Sequence, residues 1–185
     1  MWVFDLTRAA DTTPFDQWFA TLDIDSDGRL TPEDFVQTGH AILEQRGWTL
    51  AEPRGAAVHA AWVAFGDALL ASMDEMGEGS VGLEAFVGYC LTVSNRVQRD
   101  GALPDWAAEQ VGLLFEALDL DGDGCISTGD FEVYRDILPD RECDLLEAIA
   151  PRSYGTSEAD LKARFAHWWT FQGPAIRSGS LVAAF

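Results

Sequence analysis

Apolar residues recur at helical intervals along this chain, in blocks separated by short acidic or glycine-rich runs. Phe15, Trp18, Phe19 and Leu22 form the first stripe, and Phe35, Val36, Gly39, Ile42 and Leu43 the second. A third stripe runs through Val58, Trp62, Phe65, Leu69 and Met73, and a fourth through Phe86, Val87, Cys90, Leu91 and Val97. The second half repeats the scheme. Trp106, Val111, Leu114, Phe115 and Leu118 are followed by Phe131, Tyr134, Ile137 and Leu138, then Cys143, Leu146 and Ile149, then Leu161, Phe165, Trp168 and Trp169. Spacing of three and four residues puts each set on one helix face. The punctuation agrees. Thr13-Pro14 and Thr31-Pro32-Glu33-Asp34 are helix starts, and Gly47 and Pro139 are stops. Residues 48–54 read as a connector, and Asp100-Gly101 with Pro104 marks a break between halves. The pattern predicts an all-α fold of four helix–loop–helix units in two pairs, residues 1–100 and 101–185. The apolar tail, Ile176 to Phe185, is expected to fold back onto the body.

The acidic runs carry the chemistry. Asp23–Asp34 reads DIDSDGRLTPED and Asp119–Asp130 reads DLDGDGCISTGD. Each has Asp at positions 1, 3 and 5, Gly at 6, a hydroxyl at 9, Asp at 12 and Phe at 13. That is the EF-hand pattern, in which a short loop wraps oxygens around a hard cation. Candidate ligands in the first loop are Asp23, Asp25, Asp27, the Arg29 carbonyl, Thr31 and Asp34. In the second they are Asp119, Asp121, Asp123, the Cys125 carbonyl, Ser127 and Asp130. Gly28 and Gly124 allow the sharp turn. Leu30 and Ile126, at position 8, are expected to point inward and bridge to a partner loop through Val81 and Thr156. The usual residue at position 12 is Glu, which grips calcium with both oxygens. Asp34 and Asp130 are one methylene shorter, so discrimination against magnesium should weaken.

Two further stretches fit the register without the ligands. Asp74–Ala85 has Asp at position 1, Glu78 at 5 and Gly79 at 6, but Met76 at 3 and Ala85 at 12. Ile149–Asp160 keeps only its terminal Asp, with Pro151 and Ser153 where acids are needed. Both are expected to keep the fold and hold no ion. GEGSVG at Gly77–Gly82 matches the dinucleotide-binding spacing literally, yet no strand precedes it, and the EF-hand register already accounts for its glycines.

With 12 basic against 31 acidic residues the net charge is −19, which disfavours nucleic acid and anionic membrane surfaces as partners. No long apolar window or basic leader occurs, and the three cysteines, Cys90, Cys125 and Cys143, form no zinc or disulfide pattern. A cytoplasmic monomer is the expectation. His40, His59 and His167 lie apart in sequence, and Trp18, Trp62, Trp106, Trp168 and Trp169 are expected to fill the core.

Two strong loops in units one and three, with degenerate ones in two and four, resemble the sarcoplasmic calcium-binding protein and calerythrin family over most of the chain. That resemblance implies a four-hand body acting as a cytosolic calcium buffer or modulator. Coelenterazine-binding photoproteins share this shape around an aromatic cavity. The last residue here is Phe185 where those luminescent proteins carry proline, so luminescence is not expected. The reading is a calcium buffer or calcium-dependent modulator binding two Ca2+ ions, with Mg2+ as competitor. No nucleophile–base arrangement points to an enzyme. The alternative is a calcium-stabilised scaffold holding an apolar small molecule, even as an enzyme. A groove-opening sensor with a protein target fits less well, because Met is scarce (Met1, Met73, Met76).

Overall fold

The structure, a computed structural model, describes residues 13–74, 77–137 and 155–170. Seven helices occur among these residues: α1 (Thr13–Leu22), α2 (Pro32–Arg46), α3 (Pro53–Ala71), α4 (Leu83–Asp100), α5 (Asp105–Leu118), α6 (Thr128–Ile137) and α7 (Glu158–Thr170). Two short strands, β1 (Arg29–Leu30) and β2 (Val81–Gly82), lie inside the first and second loops. The all-α EF-hand architecture is therefore present. The expected helix through Cys143, Leu146 and Ile149, the stop at Pro139 and the tail all fall outside the described residues.

Loop pairing follows the position-8 expectation. β1 and β2 are antiparallel, with Leu30 opposite Val81 and Arg29 opposite Gly82. Ile126 and Thr156 exchange two backbone hydrogen bonds, 2.9 and 3.0 Å. Each complete loop is thus laced to a degenerate one. The side chains of Leu30, Val81, Ile126 and Thr156 are all buried, so these bridges are anchored in the core as well as hydrogen-bonded.

Helix ends are closed by local chemistry. Gly47 takes a left-handed φ of 67°, its N–H bonds Glu44 O at 3.1 Å, and Trp48 N–H reaches Leu43 O at 2.8 Å. This Schellman arrangement satisfies the last carbonyls of α2 and turns the chain into α3. α2 and α3 then pack so closely that Gly66 lies directly over the Phe35 ring.

The core runs through both halves. Phe15, Trp18, Trp168 and Trp169 pack with ring centroids 4.8–5.9 Å apart, mostly edge to face. Trp62 of α3 stacks on Tyr134 of α6 at 5.3 Å. One expected core residue is elsewhere: Trp106 is 36% exposed and leans on Tyr89 at the surface. It sits near the start of α5. His40 and His59, distant in sequence, meet with rings 4.7 Å apart because α2 packs on α3. No helix among the described residues is long and apolar enough to cross a membrane.

Candidate metal centres

In both complete loops the first aspartate organises the backbone. Asp23 Oδ1 accepts the Asp27 N–H at 3.1 Å and its Oδ2 accepts Gly28 N–H at 3.0 Å. Asp119 does the same, with Gly122 and Asp123 N–H on Oδ1 and Gly124 N–H on Oδ2 at 2.9 Å. These bonds require the chain to fold back over the carboxylate, which Gly28 (φ 86°) and Gly124 (φ 83°) permit. Asp27 in turn takes Arg29 N–H, and Asp123 takes Cys125 N–H, each at 2.8 Å. Each of these oxygens except Asp119 Oδ1, which already takes two N–H groups, keeps a lone pair for another partner.

The wiring brings like charges together. Carboxylate oxygens of Asp23, Asp25 and Asp27 lie within 4.8 Å of one another, and so do those of Asp119, Asp121 and Asp123. Burial pushes the Asp23 carboxyl above its usual range. The Gly28 and Asp27 N–H bonds pull it back, and the neighbouring charges of Asp34 and Asp27 raise it again. Asp119 is raised for the same reasons, burial first, with Asp123 as the repelling neighbour. Three converging carboxylates, the first of them raised, are a site that a divalent cation would relieve.

Position 12 differs between the loops. Asp34 Oδ2 accepts the Thr31 N–H at 2.7 Å and the Thr31 hydroxyl at 2.9 Å, closing the first turn of α2. Its Oδ1 is buried and has no hydrogen-bond partner. Asp130 Oδ2 likewise accepts the Ser127 N–H at 2.9 Å and its hydroxyl at 2.5 Å. Its Oδ1, however, lies 3.8 Å from Arg46 Nη2, and the same guanidinium donates to Gly129 O at 3.1 Å. An orphaned buried carboxylate oxygen costs about 1–3 kcal/mol or more unless something binds it. Asp34 Oδ1 is thus the observation that best fits a cation in the first loop. Thr31 and Ser127, expected as ligands at position 9, use their hydroxyl protons to hold position 12.

The second loop keeps the turn and lacks the oxygens. Asp74 still accepts Glu78 N–H at 2.9 Å and Gly79 N–H at 2.8 Å. Ala85 offers nothing at position 12. The side chain of Arg29 spans from the first loop to the second, with Nε 2.9 Å from Ser80 Oγ and Nη2 3.5 Å from Glu78 Oε2. In the fourth loop Ser157 Oγ donates to Asp160 Oδ2 at 2.6 Å, so this aspartate caps α7. Residues 149–154 of that loop are outside the described ones. Sequence reasoning missed the side chains of Arg29 and Arg46. Partners 51 and 83 residues away leave no local signal.

Two segments, residues 15–37 and 112–133, match the EF-hand family model, and each contains one complete loop. The chain is a calcium-binding protein of the EF-hand fold. No curated protein matches it by sequence. Among solved structures it is similar to a Streptomyces coelicolor calcium-binding protein described in terms of prokaryotic calcium-mediated regulation. That match has 22% identity and a TM-score of 0.63, over 85% of this chain and 96% of that one. The coelenterazine-binding protein of Renilla muelleri gives 12% identity and 0.63, over 85% and 86%. The ctenophore photoprotein berovin, solved with magnesium in all three calcium-binding loops, gives 18% identity and 0.52, over 91% and 89%. At these identities the likeness concerns the fold.

Proposed function

We propose that this protein is a two-ion calcium buffer or calcium-dependent modulator, working as a cytoplasmic monomer whose halves, residues 1–100 and 101–185, each hold one ion. The observation that carries this is the buried, unpartnered Asp34 Oδ1 beside three converging carboxylates. Asp23, Asp25, Asp27 and Asp34 would hold one ion, with the Arg29 carbonyl and Thr31. Asp119, Asp121, Asp123 and Asp130 would hold the other, with the Cys125 carbonyl and Ser127. The ion supplies charge neutralisation, which these loops lack by themselves. Short Asp at both twelfth positions supports competition by magnesium, and the magnesium-loaded berovin neighbour is in line with that.

A buffer should change little on binding, and a filled interior suits that. Among the described residues the aromatic centre borders a part-open gap of about 20 Å³, between Trp18, Phe65, Tyr89, Gln110, Phe165 and Trp169. That is roughly room for one water and far below a drug-sized ligand's cavity. That gap gives the apolar-ligand reading suggested by the Renilla neighbour no room, although a solvent-open cleft of about 810 Å³ lies against Met73, Val81, Tyr89 and Trp106.

Titration calorimetry with calcium, with and without magnesium, tests the reading. The expected result is two ions per chain, one lost in Asp23→Ala and the other in Asp119→Ala. A chain that binds none, or that keeps both ions in either variant, would refute it.

A further inference from the structure

The two complete loops differ in one respect that their sequences do not show. Asp34 Oδ1 is buried and unpartnered, whereas Asp130 Oδ1 faces the Arg46 guanidinium at 3.8 Å. Arg46 is the last residue of α2, the helix that begins at the first loop. It crosses to the third loop, where its Nη2 also donates to Gly129 O at 3.1 Å. The arm is held in place from behind by Trp48, whose ring centre lies 5.7 Å from the guanidinium carbon. Asp130 Oδ2 is already committed to the N–H and hydroxyl of Ser127. Only Oδ1 remains for an ion, and the chain has placed its own cation there.

We propose that Arg46 is a tethered competitor at the third loop, lowering its calcium affinity and leaving Asp130 when the ion arrives. This rests on the two-ion reading above. A guanidinium and a divalent cation at one carboxylate oxygen repel each other, and the residual solvent contact of Arg46 reduces that repulsion without abolishing it. The first loop has no such competitor at Asp34. Ion entry at the third loop also frees the link by which the end of α2 holds the start of α6. Arg46 thereby couples the exit helix of one site to the occupancy of the other. By linkage, whatever Arg46 takes from calcium affinity it returns as stability of the ion-free form.

The test uses the full chain with Asp23→Ala, so that calcium reports on the third loop alone. Arg46→Gln keeps a donor for Gly129 O and removes the charge, and Arg46→Met keeps an apolar stem over Trp48. Both are expected to raise third-loop affinity about tenfold at low salt. The gain should shrink as salt rises from about 50 mM to about 500 mM. Both should lower the melting temperature in chelator and leave it nearly unchanged in saturating calcium. An arginine with a merely structural role would give equal destabilisation in both media and unchanged affinity, and that result would overturn the proposal. A wild-type chain that binds no calcium would overturn the two-ion reading itself. Calcium bound equally by wild type and both variants would overturn only the role of Arg46.

Discussion

Replacing Asp34 by Asn separates an ion ligand from a helix cap, because Asn keeps the cap and removes the charge. The Asn carbonyl can still accept the Thr31 N–H and hydroxyl that Asp34 Oδ2 accepts at 2.7 and 2.9 Å. The cap is therefore kept. What changes is the buried Oδ1, which has no partner and whose charge raises the Asp23 carboxyl. An amide N–H there carries no charge where the carboxylate oxygen met repulsion. In chelator the variant should match wild type or exceed it by up to about 1 kcal/mol. In calcium it should lose the first ion. At a hundredfold excess over the dissociation constant that ion contributes about 2.7 kcal/mol, or roughly 5–10 °C in melting temperature for a chain of this size. Thermal melts in chelator and in calcium give both numbers from one sample. A variant that retains the wild-type calcium shift would show that Oδ1 is no ligand. One that falls by more than about 1 kcal/mol in chelator would show that the charge on Asp34 stabilises the ion-free loop, against the repulsion between Asp34 and Asp23.

Gly66→Ala should destabilise the protein by about 1–2 kcal/mol despite the better helix propensity of Ala. An added Cβ would lie 2.3 Å from Phe35 Cγ, and Phe35 is buried with nowhere to move. Since Phe35 follows Asp34, calorimetry should also show weaker calcium binding at the first loop and none of that weakening at the third. His59→Gln should flatten the loss of stability between about pH 7.5 and about pH 5.5, measured by denaturant melts in saturating calcium. Burial, and then the neighbouring His40, hold the His59 imidazole below its usual range, and its buried Nε2 has no partner. The unfolded chain takes up that proton first as pH falls through 6.5, so the stability is present above that value and lost below it. A variant with the same pH slope as wild type would exclude His59 as the source.

The fold was readable from the chain because helical stripes and loop registers are local. Leu30, Val81, Ile126 and Thr156 sit at position 8 of loops that share one register, so their bridging followed from spacing alone. The metal triads were readable for the same reason: alternation at positions 1, 3 and 5 of a tight turn brings carboxylates together. Long-range partners were not readable. Whether Trp106 is buried depends on what packs beside the start of α5, and whether His40 meets His59 depends on the packing of α2 on α3. The position-9 hydroxyls were assigned to the ion. The structure shows their protons on Asp34 and Asp130, a bond between neighbours three residues apart that the capping pattern of Thr31 already contained.

Charge balance gives the degenerate second hand a part in this acidic chain. With 12 basic residues against 31 acidic ones, the position of each arginine near a loop matters. Arg29 leaves the first loop and reaches Glu78 and Ser80 in the second, where Ala85 denies an ion its last ligand. A side-chain cation there offsets part of the charge that an ion would neutralise, at a surface where each such pair contributes little alone. Arg46 plays the corresponding part at Asp130, in a loop that otherwise has a full ligand set. The second loop thus has a fixed arginine in place of an ion, the first has an unanswered Asp34 oxygen, and the third has both an arginine and the ligands for an ion. Of the three, only the third can exchange one cation for another, and only there would occupancy alter a contact between the two halves. A protein whose ion sites were mere charge stores would gain nothing from such a contact, so the response of Arg46 to calcium is where buffer and modulator part.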